Sequence, residues 1–417
     1  MNVVIRNAKI IDTSSDFHDK TVDLKICDGI FTEIGANFNN NERFEEINFN
    51  NLHISKGWFD TSVSFGEPGF EDRETIENGL LTAAKSGFTG IALQPNSNPI
   101  LDNQSQINFV KQKAAPFATE LFPIGALTKN SAGHELAELI DMKNAGAIAF
   151  GDYNKNIENA NLLKIALQYT QDFNAIVITF CQDNAIAGKG LVNEGIVSTM
   201  LGLSGIPALA EELIVARNLF ILEYTGGKMH ILTVSTAKSV QLVRKAKEKG
   251  LHVTCSVAVH NLVFNDSKID GFDTRFKVLP PLRTELDRKE LIAAVLDNTI
   301  DCITSDHNPI DIENKKLEFD KAKYGTIGLE STFGSLQKIL PTNVIIQKLT
   351  CGRKIFNLPE STINIGQEAN ITIFNPSETG VFTLQNILSK SKNSAFLNHE
   401  IQGKVYGIYN QKKLVLA

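Results

Sequence analysis

The feature that most constrains this chain is a regular alternation of short apolar runs and helical segments from Ile54 to about Leu340. Eight runs are rich in apolar and β-branched residues: ISKGWFDTSV, FTGIALQP, ELFPIGAL, AIAFGDY, AIVITFC, KMHILTV, HVTCSVAV and DCITSD. Each is followed by a helical or mixed segment. Strands covered on both faces read as such runs, whereas half-exposed strands alternate. Clear helices are ETIENGLLTAAKSG, ending at Gly87, and PALAEELIVARNLFILEYTG, with Pro207 early and Gly226 at its end. A third is STAKSVQLVRKAKEKG, with a Ser/Thr start and Gly250 as its stop. Eight βα units over roughly 290 residues fit a parallel (β/α)8 barrel better than a doubly wound sheet.

Both chain ends depart from this pattern. Residues 1–52 read as short strands and turns, with VVIRNAKII, TVDLKI and a turn at Cys27-Asp28-Gly29. The Asn-rich stretch Asn37–Arg43 reads as a surface loop. After about Ile355, strands return in STINIGQEANITIFNP, GVFTL and GKVYGIYNQKKLVLA. Residues 1–52 and 355–417 are therefore expected to build one small β-sandwich domain, with 53–354 as the barrel.

Composition narrows the function classes. A net charge of −6 over 417 residues gives no global attraction to nucleic acid or anionic lipid. A hydrophobic share of 42% argues against disorder. No apolar run reaches the roughly 18 residues of a membrane span. The first residues alternate like a strand and lack the apolar block of a signal peptide, so a cytoplasmic protein is expected. Five cysteines, Cys27, Cys181, Cys255, Cys302 and Cys351, form no Cys-x-x-Cys pair and read as free thiols. Histidines number only eight: His18, His53, His134, His230, His252, His260, His307 and His399.

In such a barrel, reactive side chains come from the C-terminal ends of the strands. Those ends include Asp60-Thr61-Ser62-Val63-Ser64-Phe65-Gly66-Glu67-Pro68-Gly69, Pro95-Asn96-Ser97-Asn98-Pro99 and Phe150-Gly151-Asp152-Tyr153. They continue with Thr179-Phe180-Cys181, Thr233-Val234-Ser235-Thr236 and Ser305-Asp306-His307. Downstream lie Phe276-Lys277, Pro280-Pro281-Leu282-Arg283-Thr284-Glu285, Tyr324–Glu330, Ile365–Asn370 and Ser389–Asn393. Taken together, these segments resemble the dihydroorotases of the amidohydrolase superfamily over essentially the whole length. The related dihydropyrimidinases, hydantoinases and allantoinases match the Pro-Pro-Leu-Arg and Tyr324–Glu330 segments less closely.

The resemblance implies metal-assisted opening of a cyclic amide. Zinc activates a water and polarises the carbonyl, and a strand-8 Asp, here Asp306, shuttles the proton. The family's zinc ligands are a His-x-His pair on strand 1, a bridging acid on strand 4, one His each on strands 5 and 6, and the strand-8 Asp. The corresponding positions here are Ser62, Ser64, Asp152, Phe180, Thr233 and Asp306. All four imidazoles are replaced. Asp at the bridging position resembles the bacterial branch that does without a carboxylated lysine. The family's carboxylate-binding Arg corresponds to Gly66, its Asn before the Pro-Pro pair to Leu279 and the His closing its strand-8 motif to Ile310, while Asn96 is retained.

Zinc favours N and S donors, and neutral hydroxyls bind it weakly. No zinc is therefore expected, although weak binding of a hard divalent ion at Asp152 and Asp306 stays open. His230 lies an odd number of residues before Thr233, so on a strand it faces the other way. A packed, hydrogen-bonded His230 is expected, with His260 and His307 also structural. Cys181 has no neighbouring base and reads as a buried thiol. The segment 188–205 reads as an oligomer contact or a lid, and the sequence does not decide which.

The leading expectation is a dihydroorotase-like protein of pyrimidine biosynthesis, inactive as a zinc hydrolase. It would act as scaffold or regulatory partner, for example of aspartate transcarbamoylase, and form a homo-oligomer. One alternative is an active dihydroorotase or related cyclic amidohydrolase with an atypical metal site. Another is a small-molecule binder using the emptied pocket around Asn96, Asp152 and Asp306.

Overall fold

The computed structural model describes residues 2–36 and 44–417. The expected loop at Asn37–Arg43 lies outside them. The first strands are β1 (Val3–Ile11), β2 (Thr21–Cys27), β3 (Ile30–Gly35), β4 (Glu45–Ile47) and β5 (His53–Lys56). Then come β6 (Trp58–Val63), β7 (Phe88–Leu93), β8 (Glu120–Gly125), β9 (Ala149–Phe150) and β10 (Val177–Phe180). A short parallel pair, β11 (Val192–Asn193) and β12 (Gly205–Ile206), stands apart from both large sheets. The chain continues with β13 (Met229–Leu232), β14 (Val253–Ala258), β15 (Cys302–Thr304), β16 (Ile371–Val381), β17 (Glu400–Asn410) and β18 (Lys413–Leu416).

The strands β6 to β10 and β13 to β15 pair in sequence order, all parallel. The expected (β/α)8 barrel is thus present. All six residues of β6 and of β7 are buried, which is why these strands read as unbroken apolar runs. The seam between β15 and β6 closes through a bridge from Val63 to His307, where Ser64 N donates to His307 O at 2.8 Å. Asp60 clamps the same seam. Its carboxylate accepts from Thr304 Oγ1 at 2.5 Å, Ser305 N at 3.0 Å and Ser62 N at 3.1 Å. The interior is filled, with Phe59, Ile124, Ile178, Leu232 and Phe356 in one buried cluster.

Local signals set the connecting helices. Thr75 caps the helix Ile76–Lys85 by accepting from Asn78 N, and Thr236 caps Ala237–Glu248 through Ser239 N. Gly87, just past the first of these, has φ +95°. A Cβ there would stand 2.7 Å from the Trp58 ring, so the position needs glycine twice over. Among the described residues no helix is long and apolar enough to cross a membrane.

The remaining strands form a second sheet in the order β18-β17-β16-β5-β1-β2-β3, with β4 beside β1. It is built from both chain ends. β5 is the joint, parallel to β1 and antiparallel to β16. Trp58 locks this sheet to the barrel. It packs against Phe333 and Phe374 at ring-centroid distances of 4.8 and 5.6 Å, and its Nε1 donates to Ser55 Oγ at 3.0 Å. Between β16 and β17 the chain returns to the barrel. Asn393 accepts from Ile310 N at 3.1 Å and donates to Gly325 O at 3.2 Å.

Candidate active site at the barrel mouth

The strand ends meet around Asp306. Ser62 Oγ donates to its carboxylate at 3.4 Å and accepts from Gln94 Nε2 at 3.1 Å. Burial, reinforced by the Asp60 charge, pushes the Asp306 carboxyl up to about 7. Tyr153 lies close enough for the Asp306 charge to raise its phenol further above the usual range than burial alone does. Three non-glycine residues at these strand ends have left-handed backbone: Tyr153 at φ 55°, Thr233 at φ 49° and Asp306 at φ 46°. For a β-branched residue such as Thr233 this is a strained conformation, of the kind found at functional sites.

Asp152 is committed elsewhere. One carboxylate oxygen accepts from Leu127 N at 2.9 Å and Thr128 N at 3.1 Å, and the other accepts from the Thr128 hydroxyl. Burial raises its pKa despite these bonds. Ser64 and Asn96 bond each other, Asn96 Nδ2 donating to Ser64 Oγ at 2.8 Å. Phe180 is buried at the end of β10, and Thr233 is buried with no partner for its hydroxyl.

This donor set does not fit zinc. Ser62, Ser64 and Thr233 offer neutral hydroxyls, Phe180 offers nothing, and both Asp152 oxygens are already engaged. Among the described residues no three His, Cys, Asp or Glu side chains gather as a metal cluster.

Three histidines, His230, His260 and His307, are buried in the barrel. His230 bonds Thr254 Oγ1 at 2.8 Å and Ser256 Oγ at 3.2 Å, and burial lowers it to about 3. His307 Nδ1 accepts from Gly328 N at 3.2 Å, which leaves the proton on Nε2 of the neutral ring. His260 sits on the helix Val259–Val263 rather than on the strand, and neither ring nitrogen has a partner. Cys181 is buried, and its thiol is pushed up to about 12.

Gly66, Leu279 and Ile310, the expected substrate positions, offer no polar side chain. A Cβ on Gly66 would lie 1.7 Å from Phe70 O, so this backbone has no room for an arginine there. Leu279 packs against Ala187, Ile206 and Ala210. Ile310 is buried beside a cavity of about 690 Å³, which is also lined by Arg275, Lys315 and Lys392.

The preserved motifs serve architecture instead. Glu67 accepts from Ile76 N at 2.9 Å and holds the Lys113 ammonium. Glu211, placed by the helix Ala208–Thr225, accepts from Ser235 N at 3.0 Å and from the Ser235 hydroxyl. Arg283 is buried 3.9 Å from Glu211 and donates to Ser235 Oγ at 3.1 Å, Asn193 Oδ1 at 3.0 Å and Ile206 O at 2.8 Å. The segment 188–205 is thereby an ordered excursion pinned by Arg283. Sequence reasoning missed Tyr153, Gln94 and this Arg283–Glu211 network. Tyr153 and Gln94 were signalled by their place next to strand ends and Arg283 by the Pro-Pro-Leu-Arg segment, while nothing in the sequence marked Glu211.

Known proteins share both fold and sequence with this chain. A dihydro-orotase-like family model matches residues 53–239. The dihydroorotase of Pelotomaculum thermopropionicum is 38% identical over 97% of this chain and 96% of its own length. The dihydroorotase of Citrifermentans bemidjiense is 35% identical over 97% of each. Among solved structures, the L-hydantoinase (dihydropyrimidinase) from Arthrobacter aurescens superposes with a TM-score of 0.86 over 99% of this chain and 96% of its own. Its sequence identity is 19%, so it speaks for the fold alone. With identity to dihydroorotases carried across both the barrel and the sheet from the chain ends, this chain belongs to the dihydroorotase family.

Proposed function

We propose that the chain serves pyrimidine biosynthesis as a dihydroorotase-type cyclic amidase. The observation that carries this is identity of 35–38% over nearly the full length to relatives named dihydroorotase. Those names favour ring opening of dihydroorotate to N-carbamoyl-aspartate over a purely scaffolding role. In that reading Asp306 carries the proton, since a carboxyl held near 7 exchanges it readily at neutral pH. Ser62 orients the Asp306 carboxyl, and Asn96 is the retained substrate contact.

A second reading rests on one specific observation, the poor fit of the mouth to zinc. It makes the chain a noncatalytic member that supports a partner such as aspartate transcarbamoylase. Purified protein assayed for dihydroorotate hydrolysis, with metal content read by mass spectrometry, separates the two. Turnover supports the catalytic reading, and stoichiometric metal would extend it to an atypical metal site. No turnover, together with co-purification of a transcarbamoylase, supports the second. A chain that neither turns over dihydroorotate nor engages a transcarbamoylase sinks both.

A further inference from the structure

Two of the five cysteines meet at the base of the barrel, the end opposite the mouth. Cys302 opens β15, and Cys351 follows the helix Thr342–Thr350, which packs on this strand. Cys351 Sγ donates to Asp301 O at 3.0 Å, the carbonyl of the peptide that leads into Cys302. The Cys302 thiol is buried, 3.6 Å from Thr61 Oγ1. Gly352, next to Cys351, sits on the same threonine, since a Cβ there would stand 2.9 Å from Thr61 Cγ2. The two sulfurs are near enough to act on each other. Burial first, and then the Cys351 sulfur, push the Cys302 thiol well above its ordinary range. Thiols set this close are bridged with little backbone movement.

The surroundings equip this pair for exchange. Lys348 is buried, and its ammonium donates to Ile300 O at 2.7 Å and Asn298 Oδ1 at 2.9 Å. It lies within electrostatic reach of both sulfurs. A cation beside a thiol favours the thiolate, the form that attacks a disulfide. A cavity of about 450 Å³ gives access, lined by Cys351, Lys348, Lys228, Lys354 and Asp301. Lys247 neutralises Asp301 at 2.7 Å, so the lining is left cationic and suits an anionic visitor. Cys351 is half-buried and lines the cavity, whereas Cys302 is buried and does not. The other cysteines have no such arrangement. Cys181 and Cys255 are buried with thiols pushed up to about 12, and no cysteine is among the groups acting on either. Cys27 lies on β2 of the other sheet.

We propose that Cys302 and Cys351 are a redox-reactive pair, oxidised to an intrachain disulfide by an anionic low-molecular-weight disulfide such as glutathione disulfide. Cys351 gives its proton to water, and its thiolate attacks one sulfur of the visitor, releasing the first small thiol. The Cys302 sulfur loses its proton and attacks the Cys351 sulfur of the mixed disulfide, which expels the second small thiol. Two protein thiols and one small disulfide thus become one protein disulfide and two small thiols. The protein is oxidised and the visitor reduced. This chemistry is independent of what the barrel mouth does.

The full chain, kept native in buffers of rising glutathione disulfide to glutathione ratio, tests it. Free thiols are then blocked with N-ethylmaleimide, and the digest is read by mass spectrometry. The wild type yields two peptides joined through Cys302 and Cys351, lighter by two hydrogens than the reduced parts, and dithiothreitol separates them. Cys302→Ala, with the circular dichroism spectrum of the wild type, stops at the mixed disulfide and carries one glutathione on Cys351. Cys351→Ala leaves Cys302 a free thiol, since the cavity does not reach it. The wild-type measurement stands whether or not either variant folds. A wild type with both thiols free at the most oxidising ratio overturns the proposal. So does a bridge from Cys351 to Cys255, a folded Cys302→Ala protein without glutathione on Cys351, or a folded Cys351→Ala protein modified at Cys302.

Discussion

At the scale of single residues, the mouth combines left-handed backbone at three strand ends with one strongly perturbed carboxyl. Asp306 is the group most altered by its surroundings. Its folded pKa of about 7 lies above the roughly 3.9 of an unfolded Asp. Between those values the folded protein holds a proton that the unfolded chain has released. The resulting stability is fully present below the unfolded value and is lost as pH rises through the folded one. Asp306→Asn is therefore expected to raise Tm at pH 8 and to change it little at pH 4, as thermal melts at the two pH values will show. Gly66 makes the opposite point about space. Even Gly66→Ala drives a Cβ into the Phe70 carbonyl, with an expected cost of about 2–4 kcal/mol in chemical denaturation. No side chain fits at this position without a shift of the Phe70 backbone.

At the scale of elements, legibility followed the range of the interaction. All eight barrel strands stood out because burial on both faces leaves a local apolar run, and Thr75, Thr236 and Gly87 punctuated their helices through neighbours a few residues away. Ser62, Ser64, Phe180 and Thr233 could be placed at strand ends by counting along the sequence, and they lie at or just past the ends of β6, β10 and β13. What stayed hidden depends on distant partners. Nothing near Arg283 announces Asn193, ninety residues earlier, or Glu211, and nothing near Asp152 announces that Thr128 claims both its oxygens. The altered strand ends also permit a direct test of the mouth. Ser62→His, Ser64→His, Phe180→His and Thr233→His introduced together should give about one zinc per chain after dialysis, measured by mass spectrometry. A protein that stays metal-free would show that the space between these strands is filled beyond what four side chains can reopen.

At the scale of the whole molecule, the barrel and the sheet built from both chain ends are one structural unit. Trp58 sits on the barrel and packs on Phe374 of β16, while Asn393 reaches from the β16–β17 connection to the backbone of Ile310 and Gly325. Contacts of this kind, shared between the two sheets, are expected to couple their unfolding. Calorimetry should therefore give a single transition, and a separate early peak for the end-built sheet would contradict the interlock.

The reach of Asn393 has a consequence for how the chain is made. In the loop after β15, Ile310 N finds its acceptor in Asn393, near the C-terminus, and one edge of β5 waits for β16 in the same way. A ribosome emits the N-terminal strands first. The joint of the outer sheet must then stay incomplete until translation is nearly finished, so a nascent chain stalled before Ile371 would carry an unpaired β5 edge that invites aggregation.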